Sequence, residues 1–186
     1  MSCYISQGIS LNECSDSIGG IQAIFIAGGS GTTTGGLTSF AYNGDDAITG
    51  ITGTTGTTLY KFNLKRGTSS LTQNIQKSFE NGTVFFEQVI EAVLFKYDPD
   101  KRLILQSLAQ KDNLQIIAVD QNNTYYMCGQ VRGMFVSGGA ATSGLALGDR
   151  NGMNLTITGQ EPVPARVINC STDAELDALV TGALIG

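Results

Sequence analysis

The chain contains no histidine. This absence removes the commonest proton shuttle and the commonest metal ligand of proteins, and it excludes Ser–His and Cys–His nucleophiles within one chain. Charged residues are also scarce, at 15% of 186 residues. So few charges suit a protein that buries much of its surface against copies of itself, although an abundance of glycine-rich loops would explain them equally well.

Basic residues and cysteine pairs are sparse as well. The net charge is −5, and the eleven lysines and arginines are scattered, which argues against a surface that grips nucleic acid. Cys3, Cys14, Cys128 and Cys170 form no C-x-x-C pair, so we expect free thiols and neither a disulfide framework nor a zinc site. We expect no cofactor.

The N-terminus has neither the basic start nor the apolar core of a signal peptide. The strongest apolar run near it, residues 21–27, is far shorter than the roughly 20 residues that span a bilayer. The sequence therefore predicts no membrane-spanning segment and no export.

A strand-like run over residues 83–97 is followed directly by a helix start. Asp98 is able to cap, Pro99 suits the first helical position, and Asp100 adds a carboxylate to the first turn. Because Pro99 disfavours helical geometry at Asp98, the two segments are separate elements. We expect a long strand that ends near Tyr97 and a helix from Pro99 to about Gln110.

The remaining pattern is mainly β. A turn at residues 80–82 predicts a long antiparallel hairpin from the segments 59–65, 70–79 and 83–97. Further strands are expected at 21–27, 114–119, 124–128 and 153–158, and a capping box at Thr172 and Glu175 predicts a short C-terminal helix that includes Val180 and Ala183. Residues 28–57, rich in Gly and Thr, indicate an extended loop or hairpin, and residues 138–148 a loop. The predicted fold is one domain over residues 1–186, an antiparallel β-sandwich or barrel with one flanking helix.

Glu87 and Glu91 are the best acid–base pair in the sequence. On a strand these two residues lie roughly 13 Å apart, beyond the roughly 5 to 9.5 Å used by paired glycosidase carboxylates. The glycines at residues 28–31 lack the spacing of a phosphate-binding loop, and residues 120–124 lack the glycine and closing glutamate of a calcium loop. We predict that the protein is not an enzyme.

The long strand carries apolar residues on both faces. Val84, Phe86, Ile90, Ala92 and Leu94 share one face, while Phe85, Val89, Val93, Phe95 and Tyr97 share the other with Glu87 and Glu91. One face can pack on the domain core. We expect Phe85, Val89, Val93 and Phe95 to contact a neighbouring subunit, because a ring of such strands leaves no free edge.

The chain resembles the tail-tube (major tail) proteins of tailed bacteriophages. The resemblance lies in residues 68–76, 81–88, 96–102 (Lys-Tyr-Asp-Pro-Asp-Lys-Arg), 108–109, 117–129 and 147–161, which together follow the order of elements in that family. It implies a β-sandwich with a flanking helix that assembles into hexameric rings. The rings would stack into a hollow tube that conducts the genome.

This resemblance also implies partners and a location. We expect a homo-oligomer that contacts other tail proteins, is assembled in the bacterial host cytoplasm and resides in the virion tail. Glu80, Glu87 and Glu91 are predicted to face the lumen, where their charge would keep passing DNA from adhering. A competing hypothesis is a non-tubular β-domain that decorates a capsid or binds another virion component. A third is an enzyme with a carboxylate site.

Overall fold

The computed structural model describes residues 17–29, 36–96 and 98–185. Within these ranges the chain forms two β-sheets and two helices. The elements, in chain order, are β1 (Ile21–Gly29), β2 (Leu37–Tyr42), β3 (Ile48–Asn63), β4 (Ser70–Ser78), β5 (Thr83–Phe95), α1 (Pro99–Ala109), β6 (Ile116–Asp120), β7 (Tyr125–Cys128), β8 (Phe135–Thr142), β9 (Gly152–Glu161), β10 (Arg166–Ile168), α2 (Asp173–Leu179) and β11 (Val180–Ile185).

The first sheet has seven strands and closes on itself. Its strands follow the order β1-β6-β7-β10-β3-β11, β2 also pairs with β3, and β1 pairs with β3 as well as β6. The 16-residue β3 makes this closure possible. Along one edge of β3, its first part pairs with β2 and its last part pairs with β1, both antiparallel. Along the other edge, β3 pairs first with β10 and then with β11, both in parallel. The result is a barrel-like sheet wrapped around its own core.

Two apolar clusters lie on either side of β1 and β6. Phe25 and Tyr125 belong to the cluster inside the closed sheet, which Leu176 of α2 completes. Ile24 and Ile116 belong to the second cluster, which fills the space between the two sheets. Because each fully buried aliphatic or aromatic side chain contributes roughly 1.5–3 kcal/mol, these strands carry much of the stability of the fold.

The second sheet is open and antiparallel, with the order β4-β5-β9-β8. Ile90 and Ala92 of β5 point into the cluster between the sheets, together with Leu155 and Ile157 of β9. The opposite face of β5 and β9 therefore points away from the core. α1 packs beside β8, and its Leu108 reaches the same cluster.

The mainly β fold class is confirmed, together with several particular elements. β1 and the β6–β7 hairpin form where they are predicted, and α1 begins at Pro99 and ends at Ala109. In β9, Met153, Leu155 and Ile157 are buried, as their alternation predicts. The side chain of Thr172 accepts a hydrogen bond from the Glu175 backbone N–H at 3.3 Å, which confirms the cap of α2.

Two strand predictions are wrong in part. Residues 59–63 do not join the long hairpin, because they form the second half of β3 and pair with β1 in the first sheet. Part of the predicted loop at residues 138–148 is β8, which extends to Thr142. Of the two alternatives predicted for the Gly/Thr-rich residues 28–57, the hairpin is confirmed where the structure describes them: β2 pairs with β3, and Leu37 and Ile48 anchor the hairpin in the core.

The helix predictions need smaller corrections. α2 ends at Leu179, because Val180 and Ala183 continue as β11 alongside β3. Asp98 occupies the N-cap position of α1 but makes no side-chain cap hydrogen bond, and its carboxylate lies 3.5 Å from the Lys101 ammonium instead. Ile104 lies four residues before the buried Leu108, so the sequence predicts that both residues are on the buried face of α1. Ile104 is nevertheless 39% exposed, so that buried face is narrower than predicted.

Two further expectations concern the ends of elements and the membrane. Tyr97, the predicted end of the long strand, lies outside the described residues, and β5 ends at Phe95. In the part of the chain that the structure describes, no helix is long and apolar enough to cross a bilayer.

Candidate assembly surface

The outward face of the second sheet is built by the pairing of β5 with its two neighbours. Glu87 lies between Asn74 of β4 and Gln160 of β9, and its carboxylate accepts a long hydrogen bond of 3.4 Å from the Asn74 amide. Glu91 lies between Ser70 and Thr156. Paired residues of antiparallel strands share a face, so these rows define one continuous outward surface.

This outward face is polar but almost free of charge. Its members are Ser70, Thr72, Asn74, Gln76, Ser78, Thr83, Phe85, Glu87, Val89, Glu91, Val93, Phe95, Phe135, Gly138, Ala140, Thr142, Gly152, Asn154, Thr156, Thr158 and Gln160. Glu87 and Glu91 are the only charged residues among these strand positions. Two cations come close at the Phe95 end of the face: the Lys65 ammonium lies 4.8 Å from the centre of the Phe95 ring, and the Lys101 ammonium donates to the Phe95 carbonyl at 2.8 Å.

The structure brings six of the seven predicted site residues together. Phe85, Val89, Val93 and Phe95 are half-buried on the outward face, interleaved with Glu87 and Glu91 as their parity predicts. Glu80 is separate from them. It is exposed in the turn after β4, and the strand from Thr83 to Glu87 alone spans roughly 13 Å. The strand assignment also separates Glu87 from Glu91 by roughly 13 Å, which removes the best candidate for paired carboxylate catalysis.

Among the residues that the structure describes, the second sheet has an unpaired edge on each side. β4 pairs only with β5, and β8 pairs only with β9. β8 contains neither a charged residue nor proline, and its single irregularity falls between Val136 and Gly138. β4 has one charge, Lys77, near its end. Charges, prolines and bulges are what keep natural edge strands from pairing with other chains, and these two edges have few of them.

A buried carboxylate fixes the connection between the two sheets. Glu161 is 1% exposed and accepts hydrogen bonds from the backbone N–H groups of Val131, Arg132 and Gly133 at 2.8–3.2 Å. The loop that carries these donors leads from β7 of the first sheet to β8 of the second. Sequence reasoning missed this role, although the alternation of β9 places Glu161 on the inward face with Ile157.

A polar pocket lies on the first sheet, at the start of α2, and has a volume of about 280 Å³. There the Asp173 carboxylate accepts hydrogen bonds from the Lys61 ammonium and, at 2.7 Å, from the Tyr125 hydroxyl. Burial raises the pKa of Asp173, but the bonds from Lys61 and Tyr125 outweigh it and hold that pKa below its ordinary value. Burial and the nearby Asp173 raise the pKa of Tyr125 well above its usual range. The three groups satisfy one another.

The cysteines in the described residues have little nucleophilic character. Burial raises the pKa of both Cys128 and Cys170 to about 12, so both thiols are neutral at physiological pH. Cys3 and Cys14 lie outside the described residues. Within the described ranges, no group of three or more Cys, Asp or Glu side chains is placed to hold a metal ion. Asp120 accepts the Asn122 and Thr124 backbone N–H groups, which is the geometry of a turn.

No family model, curated protein or solved structure matches the chain. The chemistry of its own surface is therefore the guide to its function. Neither described cysteine is an activated nucleophile, whereas the second sheet offers backbone donors and acceptors at two edges and a wide face whose only charged residues are Glu87 and Glu91. Such a surface is suited to binding other polypeptide chains.

Proposed function

We propose that the protein is a virion structural protein that assembles into hexameric rings, and that the stacked rings form the tail tube through which a phage genome passes. One observation carries this proposal: among the described residues the second sheet is open at both edges, and β8 bears no charge while β4 bears only Lys77, so the charges that normally protect an edge are scarce. The resemblance of residues 68–161 to tail-tube proteins agrees with it.

The positions of the two edges favour a ring. β4 and β8 lie on opposite sides of the same sheet, so β4 of one copy can pair with β8 of the next. A contact between two different surfaces is heterologous, and it closes into a ring when the rotation between copies is suitable. Each copy then contributes four strands to one continuous barrel, and no edge remains unpaired.

The outward face of the second sheet would then form the lumen. The first sheet and α1 lie on its other face, so they form the outer wall of the tube. Glu87 and Glu91 supply negative charge to the lumen, and Ser, Thr, Asn and Gln supply uncharged polar groups. DNA phosphates are repelled by such a surface and release no counterions to it, so the genome passes without specific binding. Glu80, in the β4–β5 turn, would lie at the rim.

The predicted interface residues have a place in this arrangement as well. Phe85, Val89, Val93 and Phe95 line the same face as the two carboxylates, and their rings and methyl groups are half-buried by neighbouring strands. In the ring, β8 of the next copy would pair with β4, so it would meet these residues only through β4, whose Thr72 and Gln76 pair with Val89 and Phe85. The protein would contact other tail proteins at the ends of the tube and reside in the virion tail after assembly in the host cytoplasm.

Electron microscopy of the purified protein tests the proposal when it is combined with a variant that blocks one edge. Ala141 is exposed on the inward face of β8, and an inward-pointing lysine is a natural device against edge pairing. We expect rings and tubes from the wild type and monomers from Ala141→Lys. Ala178→Lys, the same change at an exposed position near the end of α2, is the matched control and is expected to assemble normally.

Each outcome discriminates between hypotheses. Rings whose formation Ala141→Lys abolishes support the tube. A wild type that stays monomeric at high concentration contradicts it and favours a β-domain that decorates another virion component. Rings that persist in Ala141→Lys contradict the pairing of β4 with β8.

A further inference from the structure

The tip of the β4–β5 hairpin presents an apolar patch that nothing in the described chain covers. Phe79 is 89% exposed and Ile75 is 70% exposed, and Val84 lies next to them. The hairpin extends past β9, because the pairing of β5 with β9 begins only at Phe86. The Lys77 ammonium lies 4.7 Å from the centre of the Phe79 ring, and Glu80 is exposed in the turn. We call residues 75–84 the hairpin tip.

A second exposed apolar patch lies on the loop between β8 and β9. Leu145 and Leu147 are both fully exposed. The loop is nevertheless ordered by its own hydrogen bonds, since the Asp149 carboxylate accepts the backbone N–H groups of Leu145 and Ala146 at 2.9 and 2.8 Å. Those two bonds lower the pKa of Asp149, so its carboxylate is ionised at neutral pH. We call residues 143–150 the leucine loop.

The hairpin tip and the leucine loop lie at opposite ends of the second sheet. β5 runs from Thr83, next to the hairpin tip, to Phe95, which pairs with Gly152 just after the leucine loop. In a barrel the strands run at an angle from one rim to the other. The hairpin tip therefore faces one rim of the proposed ring, and the leucine loop faces the other.

We propose that the hairpin tip of one ring docks on the leucine loops of the next ring, so that the partner of both patches is a second copy of this chain. This inference rests on the proposed function, and it specifies which residues join the rings. Apolar side chains then meet apolar side chains, with Phe79 against Leu145 and Leu147. The charges also complement each other, because Lys77 and Glu80 of one copy face Asp149 and Arg150 of the next.

The fixed backbone of the leucine loop supports this assignment, and the length of the sheet predicts the repeat of the rings. Two leucines held in water by a fixed loop lose little conformational entropy on docking, which is the usual benefit of a preorganised contact. The 13 residues of β5 span about 40 Å. Tilted by about 35–45° in a barrel, the strand accounts for about 30 Å along the axis. With the two loops added, the rings are expected to repeat about every 30–40 Å.

Two variants, each of which disables one end, test the contact. Leu145→Ser/Leu147→Ser removes the apolar groups of the leucine loop, and Phe79→Ser removes the largest one of the hairpin tip. Each variant alone is expected to give single rings in electron micrographs, because one of the two contacting surfaces is missing in every pairing. Leu103→Ser/Ile104→Ser, which alters two exposed apolar residues of α1, is the matched control and is expected to stack. Circular dichroism melts verify that each variant is folded.

Mixing the two variants gives the decisive measurement. A ring of the loop variant, with its intact hairpin tip, can dock on a ring of the tip variant, with its intact leucine loop. The resulting pair cannot be extended, because both of its outer surfaces are altered. We expect the mixture to contain pairs of rings and no longer tubes. Tubes from either variant alone, or a mixture that remains single rings, would overturn the contact while leaving the ring intact. A wild type without rings would overturn the proposed function and this inference together.

Discussion

The two sheets of this protein solve the problem of exposed strands in different ways. The first sheet closes on itself through β3, and β1 and β6 are covered on both faces by the residues of a single chain. The second sheet buries one face, leaves the other in water and keeps an edge open on each side. The first sheet therefore stabilises the subunit, and the second sheet is the surface to which we assign assembly in the proposed ring.

The difference is visible in single residues. All positions of β1 from Ala23 to Ala27 are buried, whereas β5 alternates between buried residues such as Ile90 and half-buried ones such as Val89. A strand that needs no partner beyond its own chain is apolar throughout. Nine of the thirteen residues of β5 are apolar, but only Ile90 and Ala92 among them are fully buried by their own chain. Apolar side chains that their own chain leaves partly uncovered are available for contact with a partner.

Replacing a core residue of the first sheet and an outward-face residue of the second sheet should reveal the largest contrast. Phe25→Ala removes a fully buried ring of the first sheet that stacks on Tyr125, and we expect a loss of about 4 kcal/mol in the free energy of unfolding. Val89→Ala on the outward face should cost less than about 1 kcal/mol. Urea denaturation in the Ala141→Lys background measures both variants as monomers.

For ring assembly, in contrast to stability, Val89→Ala should have a larger effect than Phe25→Ala. In an otherwise wild-type chain, Val89→Ala is expected to weaken ring formation, while the fraction of Phe25→Ala that remains folded should form normal rings. Analytical ultracentrifugation measures the ring fraction at equal concentrations of folded protein. Equal losses of stability in the two variants would mean that the second sheet contributes to the subunit as much as the first, and the contrast would fail.

Glu161 tests the connection between the sheets. In Glu161→Ala the buried N–H groups of Val131, Arg132 and Gly133 lose their acceptor, and we expect a loss of about 3 kcal/mol in the free energy of unfolding. Glu161→Gln keeps one acceptor oxygen and should cost about 1 kcal/mol. Urea denaturation measures the two values. A cost for Glu161→Ala as small as that of Glu161→Gln would show that water satisfies the loop instead.

The local elements of the fold could be predicted because their signals are local. Asp98-Pro99 marks the start of α1, the alternation of β9 identifies its inward face, and Thr172 marks the start of α2. The grouping of Phe85 and Val89 with Glu87 follows from the two-residue period of a strand. Each of these features depends on residues a few positions apart.

The pairing of distant strands could not be predicted in the same way. Residues 59–63 alternate like any strand, and nothing in them identifies β1, more than thirty residues earlier, as their partner. β8 was missed because Gly138, Gly139 and two alanines have low strand propensity, which its pairing with β9 overrides. The change from α2 to β11 depends on a parallel pairing with β3, with Gly182 at a φ of +83° where the register shifts.

The two carboxylates of the outward face should have the smallest effect on stability and a clear effect on function. Glu87 and Glu91 have no ion pair in the described structure, so Glu87→Lys/Glu91→Lys should change the free energy of unfolding by no more than about 0.5 kcal/mol per site. If these residues line a lumen, tubes of the variant gain positive charge inside. Short duplex DNA should then be retained within them in a salt-dependent manner.

Nuclease protection distinguishes an inner from an outer surface. DNA held inside Glu87→Lys/Glu91→Lys tubes is shielded from a nuclease, whereas DNA bound outside is digested. Asp100→Lys/Asp112→Lys makes the same change of charge at exposed positions on and just after α1, on the opposite side of the second sheet, and is the matched control. We expect protection only with the first variant and none with the wild type. Equal protection by the control would place the outward face of the second sheet outside the tube, and the carboxylates would then have no part in the passage of DNA.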